Sequence, residues 1–159
     1  MKAKRFNLAV YSKLRPFKKT IGVDSDKSIS IRSLLIGSIS CNISSVKNIL
    51  ESEDVFSTIL CLKKLGVKIK KSNKKSYLIY GINGFRFKKN IVLNAGNSGT
   101  LARLILGLLV KSPNYIKLTG DKSLSKRDFE RVISPLQKIG ANFIVNNKKT
   151  LPLKIKGSN

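Results

Sequence analysis

The chain has no histidine and only two cysteines among 159 residues. Cys41 and Cys61 stand far apart and lack metal-ligand spacing. Disulfide scaffolds, zinc sites and every histidine-dependent mechanism are therefore excluded as leading readings, and no metal or cofactor is expected. Long apolar runs are missing too. Leu104–Val110 is short, so no membrane span is expected. The start, Met1-Lys2-Ala3-Lys4-Arg5-Phe6, is basic but no long apolar signal core follows it. The chain reads as soluble and cytoplasmic. Acidic residues are scarce, 8 against 32 Lys and Arg, for a net charge of +24.

Such a balance first raises nucleic-acid binding. The lysines, however, are spread in pairs, Lys18-Lys19, Lys63-Lys64, Lys70-Lys71, Lys74-Lys75, Lys88-Lys89 and Lys148-Lys149. Aromatic residues are only 7% and do not interleave with these pairs as a base-stacking platform requires. A coding bias toward Lys, Asn and Ile accounts for the composition equally well. Nucleic acid is thus not the expected partner, although a basic surface favours phosphate ligands in general. With 42% hydrophobic residues the chain is expected to fold around a real core.

The stretch Asn94-Ala95-Gly96-Asn97-Ser98-Gly99-Thr100 stands between a short buried strand, Ile91–Leu93, and a helical pattern in which Leu101, Leu104, Ile105, Leu108 and Leu109 share a face. A strand, a Gly-rich turn and a helix aim free backbone N–H groups and the positive end of a helix at one point, which suits an anion. The plain alternative is a tight turn capped by Ser98 or Thr100.

Upstream, residues 1–20 are a basic lead-in, with Leu8–Tyr11 a weak strand ended by Pro16. Asp24, Ser25 and Asp26 offer caps to a helix over Ser30–Ile39, with Ile31, Leu34, Leu35 and Ile39 on one side. A strand over Val46–Leu50, an acidic turn and a helix over Val55–Leu65 follow, with Gly66 as C-cap. Strands Val67–Lys70 and Tyr77–Tyr80 flank a turn at Ser72-Asn73. Beyond Val110 the pattern gives a strand over Tyr115–Thr119, a polar loop, and a helix over Phe129–Ile139 interrupted by Pro135. Gly140 and a strand over Ala141–Asn146 come next, and Leu151–Lys156 is a further strand candidate.

The order helix, strand, polar loop, helix, Gly, strand occurs twice. Arg32 and Arg103 fall in like places, and Leu62-Lys63-Lys64-Leu65-Gly66-Val67 resembles Leu136-Gln137-Lys138-Ile139-Gly140-Ala141. One supersecondary unit stacked on its copy is the reading.

Three stretches together resemble the 5-enolpyruvylshikimate-3-phosphate synthase (3-phosphoshikimate 1-carboxyvinyltransferase) family. Asp26-Lys27-Ser28-Ile29-Ser30-Ile31-Arg32 is similar to its D/S-K-S-x-S-x-R motif. Asn94–Thr100 with Arg103 resembles G-N-A/S-G-T-x-x-R, and Leu118–Arg127 resembles L-T-G-D-x-S-L-x-x-R-P. Leu50–Val55 matches the acidic turn between them. The resemblance implies transfer of the enolpyruvyl group of phosphoenolpyruvate to the 5-hydroxyl of shikimate 3-phosphate with release of phosphate, a step of aromatic amino acid biosynthesis. It implies an α+β fold of repeated strand-helix units, about two of the three repeats of one domain. Residues 21–159 would be an incomplete N-terminal substrate-binding domain, and 1–20 a lead-in packing on the second domain.

The same resemblance assigns Lys27, Asn97, Gly99 and Arg127 to phosphoenolpyruvate, and Ser28 and Arg32 to shikimate 3-phosphate, with Lys27 near both. Solvated charges and plain caps remain the alternative for each. The family chain is well over twice as long, and its catalytic Asp and Glu are expected beyond Asn159. No catalytic group is thus expected here, and the chain is expected to be inactive without a further C-terminal part. Two departures bear on the site. Ile31 replaces a customary His or Asn, and Asp128 replaces a Pro, placing a carboxylate where it could compete for Arg127. The related transferase acting on a UDP-sugar fits these motifs less well. The alternative of another class is a non-catalytic basic module that binds nucleic acid or another polyanion.

Overall fold

The computed structural model describes residues 20–158 together with Ala9, Tyr11 and Lys18. The strand expected over Leu8–Tyr11, and the lead-in as a whole, lie outside the described residues except at those isolated positions.

The chain opens with α1 (Lys27–Ile39), started by Asp26, whose carboxylate accepts the Ile29 N–H at 2.6 Å. Then come β1 (Ile43–Val46), α2 (Glu53–Lys64), β2 (Lys68–Asn73) and β3 (Ser76–Tyr80). After an irregular segment, β4 (Val92–Asn94) leads into α3 (Gly99–Leu109), β5 (Ile116–Thr119), α4 (Glu130–Lys138), β6 (Asn142–Ile144) and β7 (Leu153–Lys156). A single 3-10 turn, Leu124–Lys126, interrupts the loop before α4.

Both halves therefore read α-β-α-β-β, which keeps the predicted order of helix, strand, helix and strand and adds a closing strand to each. The sheets agree. The first has order β1-β3-β2 and is antiparallel throughout. The second has order β4-β5-β7-β6, in which β5-β7-β6 repeats that arrangement and β4 is added in parallel on β5. In each half the third strand is central because it is the only one flanked by both others. Its alternating residues show it: Tyr77 and Ile79 in β3, and Leu153 and Ile155 in β7, are buried.

The repeat reaches the hydrogen bonds. After α2 the Gly66 N–H donates to Lys63 O and the Val67 N–H to Leu62 O. After α4 the Gly140 N–H donates to Gln137 O and the Ala141 N–H to Leu136 O. Gly66 and Gly140 have φ of 93° and 96°. Each helix thus ends in the same Schellman motif, whose left-handed position selects glycine.

One hydrophobic core runs through both halves, from Ile31, Leu34, Val55 and Leu62 to Leu101, Ile105, Phe129 and Ile155. α1 packs on α2, α3 and the first sheet, and α3 packs on α4 and β7. The expected inward faces hold at Leu101, Ile105, Leu109, Phe129 and Ile133, but not throughout. Ile39, Leu104 and Ile139 are 41%, 39% and 63% exposed. Their spacing is helical, yet Ile39 and Leu104 stay at the edge of an open depression between α1 and α3, and Ile139 falls just past the end of α4.

Several boundaries move: α1 begins at Lys27 instead of Ser30, and β6 is shorter than Ala141–Asn146. The first strand ends at Val46 instead of spanning Val46–Leu50, because Asn48 takes a positive φ of 56°. Ile49 still enters the core, and its N–H donates to Lys75 O. The β2–β3 turn sits at Lys74-Lys75, two residues beyond Ser72-Asn73, with Lys75 at φ 53°. α4 runs through Pro135.

Candidate functional site

The N-terminus of α3 organises the site. β4 delivers the chain to Asn94, whose side-chain oxygen accepts the Gly96 N–H at 2.9 Å and so closes the turn. The Ala95 N–H donates to Thr119 O, which fixes the turn to β5. Ser98 is fully buried and caps the helix, its hydroxyl accepting the Leu101 N–H at 3.3 Å. The Gly99 and Thr100 N–H groups take no acceptor among the described residues. They are the donors a helix start leaves open.

Three cations converge there. A cleft of about 440 Å³ is lined by Lys27, Glu53, Asp54, Asn97, Gly99, Thr100, Arg103 and Arg127. A Cβ built on Gly99 would fall 2.8 Å from Arg127 Nη1 and 3.0 Å from Arg103 Nη1, so both guanidinium groups lie against its backbone. Arg103 donates to Gly99 O at 3.4 Å and to Asp128 O at 3.2 Å, and rests over the Phe129 ring at 5.2 Å. Lys27 comes from the first turn of α1 and pairs with Asp54 of α2 at 3.0 Å. α2 and α4 carry acidic residues in their first turns, whereas α3 has none. An incoming anion would supply at α3 the charge that α2 and α4 draw from Glu and Asp.

Asp121 holds the turn from below. Its carboxylate accepts the Leu124 N–H at 2.7 Å and the Asn97 side-chain N–H at 2.6 Å. These bonds, the Leu124 N–H first, hold its pKa below the ordinary value against the opposing effect of burial, and the Arg127 charge adds to them. Asn97, so fixed, turns its side-chain oxygen toward Arg127 Nη2 at 3.5 Å.

The cleft therefore gathers Lys27, Asn97, Gly99 and Arg127. Ser28 lies beside Lys27 in the first turn of α1, half-buried and outside the cleft lining. Arg32 is exposed and borders a separate depression with Leu35, Ile36, Ile39, Leu104 and Leu108. Arg32 and Arg103 are not in like places. Arg32 is six residues past the cap Asp26, whereas Arg103 is five past the cap Ser98. One residue is about 100° of helix rotation, so the two side chains leave their helices in different directions.

The departures resolve differently. Ile31 is fully buried in the core and does not face the cleft. The Asp128 carboxylate accepts the Glu130 N–H at 2.7 Å at the start of α4, and no ion pair joins it to Arg127 among the described residues.

Arg103, Thr100, Asp54 and Asp121 join the site although they are not among the six residues assigned from sequence. The signal for Arg103 was its i+4 spacing from Gly99, which places it over the helix start. Ser30 has a structural part: its hydroxyl donates to Asp26 O at 2.7 Å and accepts the Leu50 N–H at 3.0 Å, tying α1 to the turn before α2. Among the described residues no group of His, Cys, Asp and Glu could hold a metal ion, and no helix is long and apolar enough to cross a membrane.

Known proteins share both sequence and fold with this chain. The family described as EPSP synthase (3-phosphoshikimate 1-carboxyvinyltransferase) matches residues 12–159. The 3-phosphoshikimate 1-carboxyvinyltransferase of Caldicellulosiruptor saccharolyticus is 42% identical over 144 residues, covering 90% of this chain and 33% of its own length. That of Alkaliphilus oremlandii is 45% identical over 152 residues, covering 94% and 35%. The solved EPSP synthase from Acinetobacter baumannii superposes with a TM-score of 0.80 at 35% identity, covering 87% of this chain and 32% of that one. The chain spans about a third of the length of these relatives. A non-catalytic basic module of another class finds no support in these matches. Two αβαββ units, the motifs that meet at the start of α3 and the match over residues 12–159 agree: this chain belongs to the EPSP synthase family.

Proposed function

We propose that this chain forms the phosphoenolpyruvate-binding part of an enzyme that transfers the enolpyruvyl group to the 5-hydroxyl of shikimate 3-phosphate, with release of phosphate. The observation that carries the reading is the meeting of Lys27, Arg103 and Arg127 at the open N–H groups of α3. A phosphate there satisfies Gly99 and Thr100 N–H and takes charge-assisted bonds from the guanidinium groups.

In the addition step the 5-hydroxyl gives up its proton as its oxygen bonds to C2 of phosphoenolpyruvate, and the C2–C3 double bond opens to take a proton at C3. In the elimination step C2 loses phosphate and C3 gives back a proton. Charge grows on the departing phosphate, and cations fixed beside it stabilise that charge more than they stabilise the bound substrate. Lys27 and Arg127 take this part, Asn97 steers Arg127, and Gly99 keeps the approach to the backbone open. Ser28 and Arg32, on the outer turns of α1, hold shikimate 3-phosphate. Residues 21–159 act as an N-terminal substrate-binding domain, with 1–20 packing against a second one. Asp121, beneath the cleft, is held ionised and so is not a proton donor near neutral pH. The acid–base groups come from the part of the enzyme beyond this third.

The test replaces the matching third of the Acinetobacter baumannii enzyme with this chain and follows phosphate release with both substrates. The chimera turns over, and Lys27→Met lowers kcat/KM by at least about a hundredfold. Unchanged turnover in that variant removes Lys27 from the site. Full turnover by the isolated 159 residues contradicts the need for the further groups.

A further inference from the structure

The acidic residues are confined to two stretches, Asp24–Asp54 and Asp121–Glu130. None occurs between Asp54 and Asp121. That acid-free stretch includes the end of α2 and the loop between β3 and β4, and these two close a second cleft of about 520 Å³. Lys63 and Lys64 reach this cleft from the last turn of α2, and Arg86 and Lys88 from the loop, over a floor that includes Leu65 and Ile82.

Among the described residues none of the four cations is in an ion pair. The pairs among the described residues are Lys27–Asp54, Lys71–Glu51 and Lys149–Glu130. Four like charges around one cleft repel each other, and a multiply charged anion relieves all of the repulsions at once. Lys64 is already positioned, its Nζ donating to Val92 O at 3.0 Å. The negative end of α2 does not oppose an anion strongly, because Cys61 O, Leu62 O and Lys63 O are taken by the Leu65, Val67 and Gly66 N–H groups. The lining has no aromatic ring to stack a base. Its charge and size suit a short run of linked phosphates more than a nucleic acid strand or a single phosphate.

We propose that the cleft between the end of α2 and the β3–β4 loop binds a compact oligophosphate through Lys63, Lys64, Arg86 and Lys88. The chemistry recognised is that of two or three linked phosphoryl groups, whether a free chain or the tail of a nucleoside triphosphate. This site is separate from the α3 cleft and does not depend on the reading of that cleft.

The experiment is calorimetric titration of the full chain at constant ionic strength with tripolyphosphate, adenosine triphosphate, adenosine monophosphate and orthophosphate. Tripolyphosphate binds saturably at one tight site, and at least about tenfold more tightly than orthophosphate. Equal affinity for adenosine triphosphate assigns recognition to the phosphates alone. Much tighter binding of adenosine triphosphate than of tripolyphosphate overturns that assignment. The double variant Lys63→Gln/Arg86→Gln loses about tenfold or more, whereas the equally discharged Lys138→Gln/Lys148→Gln keeps its affinity within about twofold. Lys27→Met/Arg127→Gln also keeps it, which separates this site from the α3 cleft. Equal losses in the first two variants mean diffuse attraction to a basic surface and overturn the proposal, as does loss in the third. Amide spectra of the unaltered chain give an independent reading. Tripolyphosphate shifts the Gly66 and Gly84 signals first, and shifts centred on Gly99 contradict the proposal.

Discussion

The Asp121 carboxylate holds the Asn97 side-chain amide at 2.6 Å, and that bond decides which end of the amide meets Arg127. With the nitrogen committed to Asp121, the oxygen is left facing the guanidinium. Asp121→Ala removes the bias and lets the amide turn its donor end to Arg127. The expected result is a phosphoenolpyruvate affinity lower by roughly fivefold to tenfold with the fold retained, read by calorimetry. Unchanged affinity removes Asp121 as a positioning residue.

The pH dependence of that bond follows from the lowered pKa of Asp121. A carboxyl whose folded pKa lies below its unfolded one gives its contribution above the unfolded value. The contribution fades as pH falls through the folded value. Carbon-detected NMR of the carboxyl should show a midpoint below the ordinary 3.8 and no titration between pH 5 and pH 8. A midpoint above 3.8 contradicts the hydrogen bonding described.

Gly99→Ala tests the approach of the two guanidinium groups separately from stability. The added methyl meets only side-chain ends, Arg127 Nη1 and Arg103 Nη1, which can swing aside. Alanine also favours the helix over glycine by up to about 1 kcal/mol. Thermal stability should hold or rise while phosphoenolpyruvate binding weakens by about tenfold. A variant that binds as well as the parent shows that the guanidinium groups do not need that position.

The two Schellman glycines should respond unequally. Gly66→Ala meets no neighbour and incurs only the left-handed backbone, about 1–2 kcal/mol in denaturant unfolding. Gly140→Ala incurs the same and also meets Ser158 Cβ at 2.8 Å, so it should be the more destabilising. The reverse order contradicts the packing of the second repeat's end.

Much of this fold was legible because each repeat states its own signals. Asp26 and Ser98 announce helix starts, and Gly66 and Gly140 announce the ends of α2 and α4. What misled is local chemistry that spacing does not encode. Asn48 and Lys75 adopt positive φ and move a strand end and a turn. Ile39 and Leu104 have core spacing but border an open depression between α1 and α3 and stay partly exposed, and no periodicity distinguishes a covered apolar side from an open one. At the site, the motifs located Lys27, Asn97, Gly99 and Arg127. They could not show that Arg103 crosses the helix start to reach Asp128 O, or that the Asp128 carboxylate turns to α4 instead of Arg127. Both facts depend on the chain returning from β5, which spacing along one helix does not reveal.

The most direct measurement is the amide NMR spectrum of this chain titrated with phosphoenolpyruvate, before and after Arg127→Gln. The account predicts that the Gly99 and Thr100 N–H signals move first and furthest, and that Arg127→Gln raises the apparent Kd by about tenfold or more. Shifts centred away from the start of α3, or the same Kd in the variant, would contradict the assignment of this helix start as the phosphoenolpyruvate site.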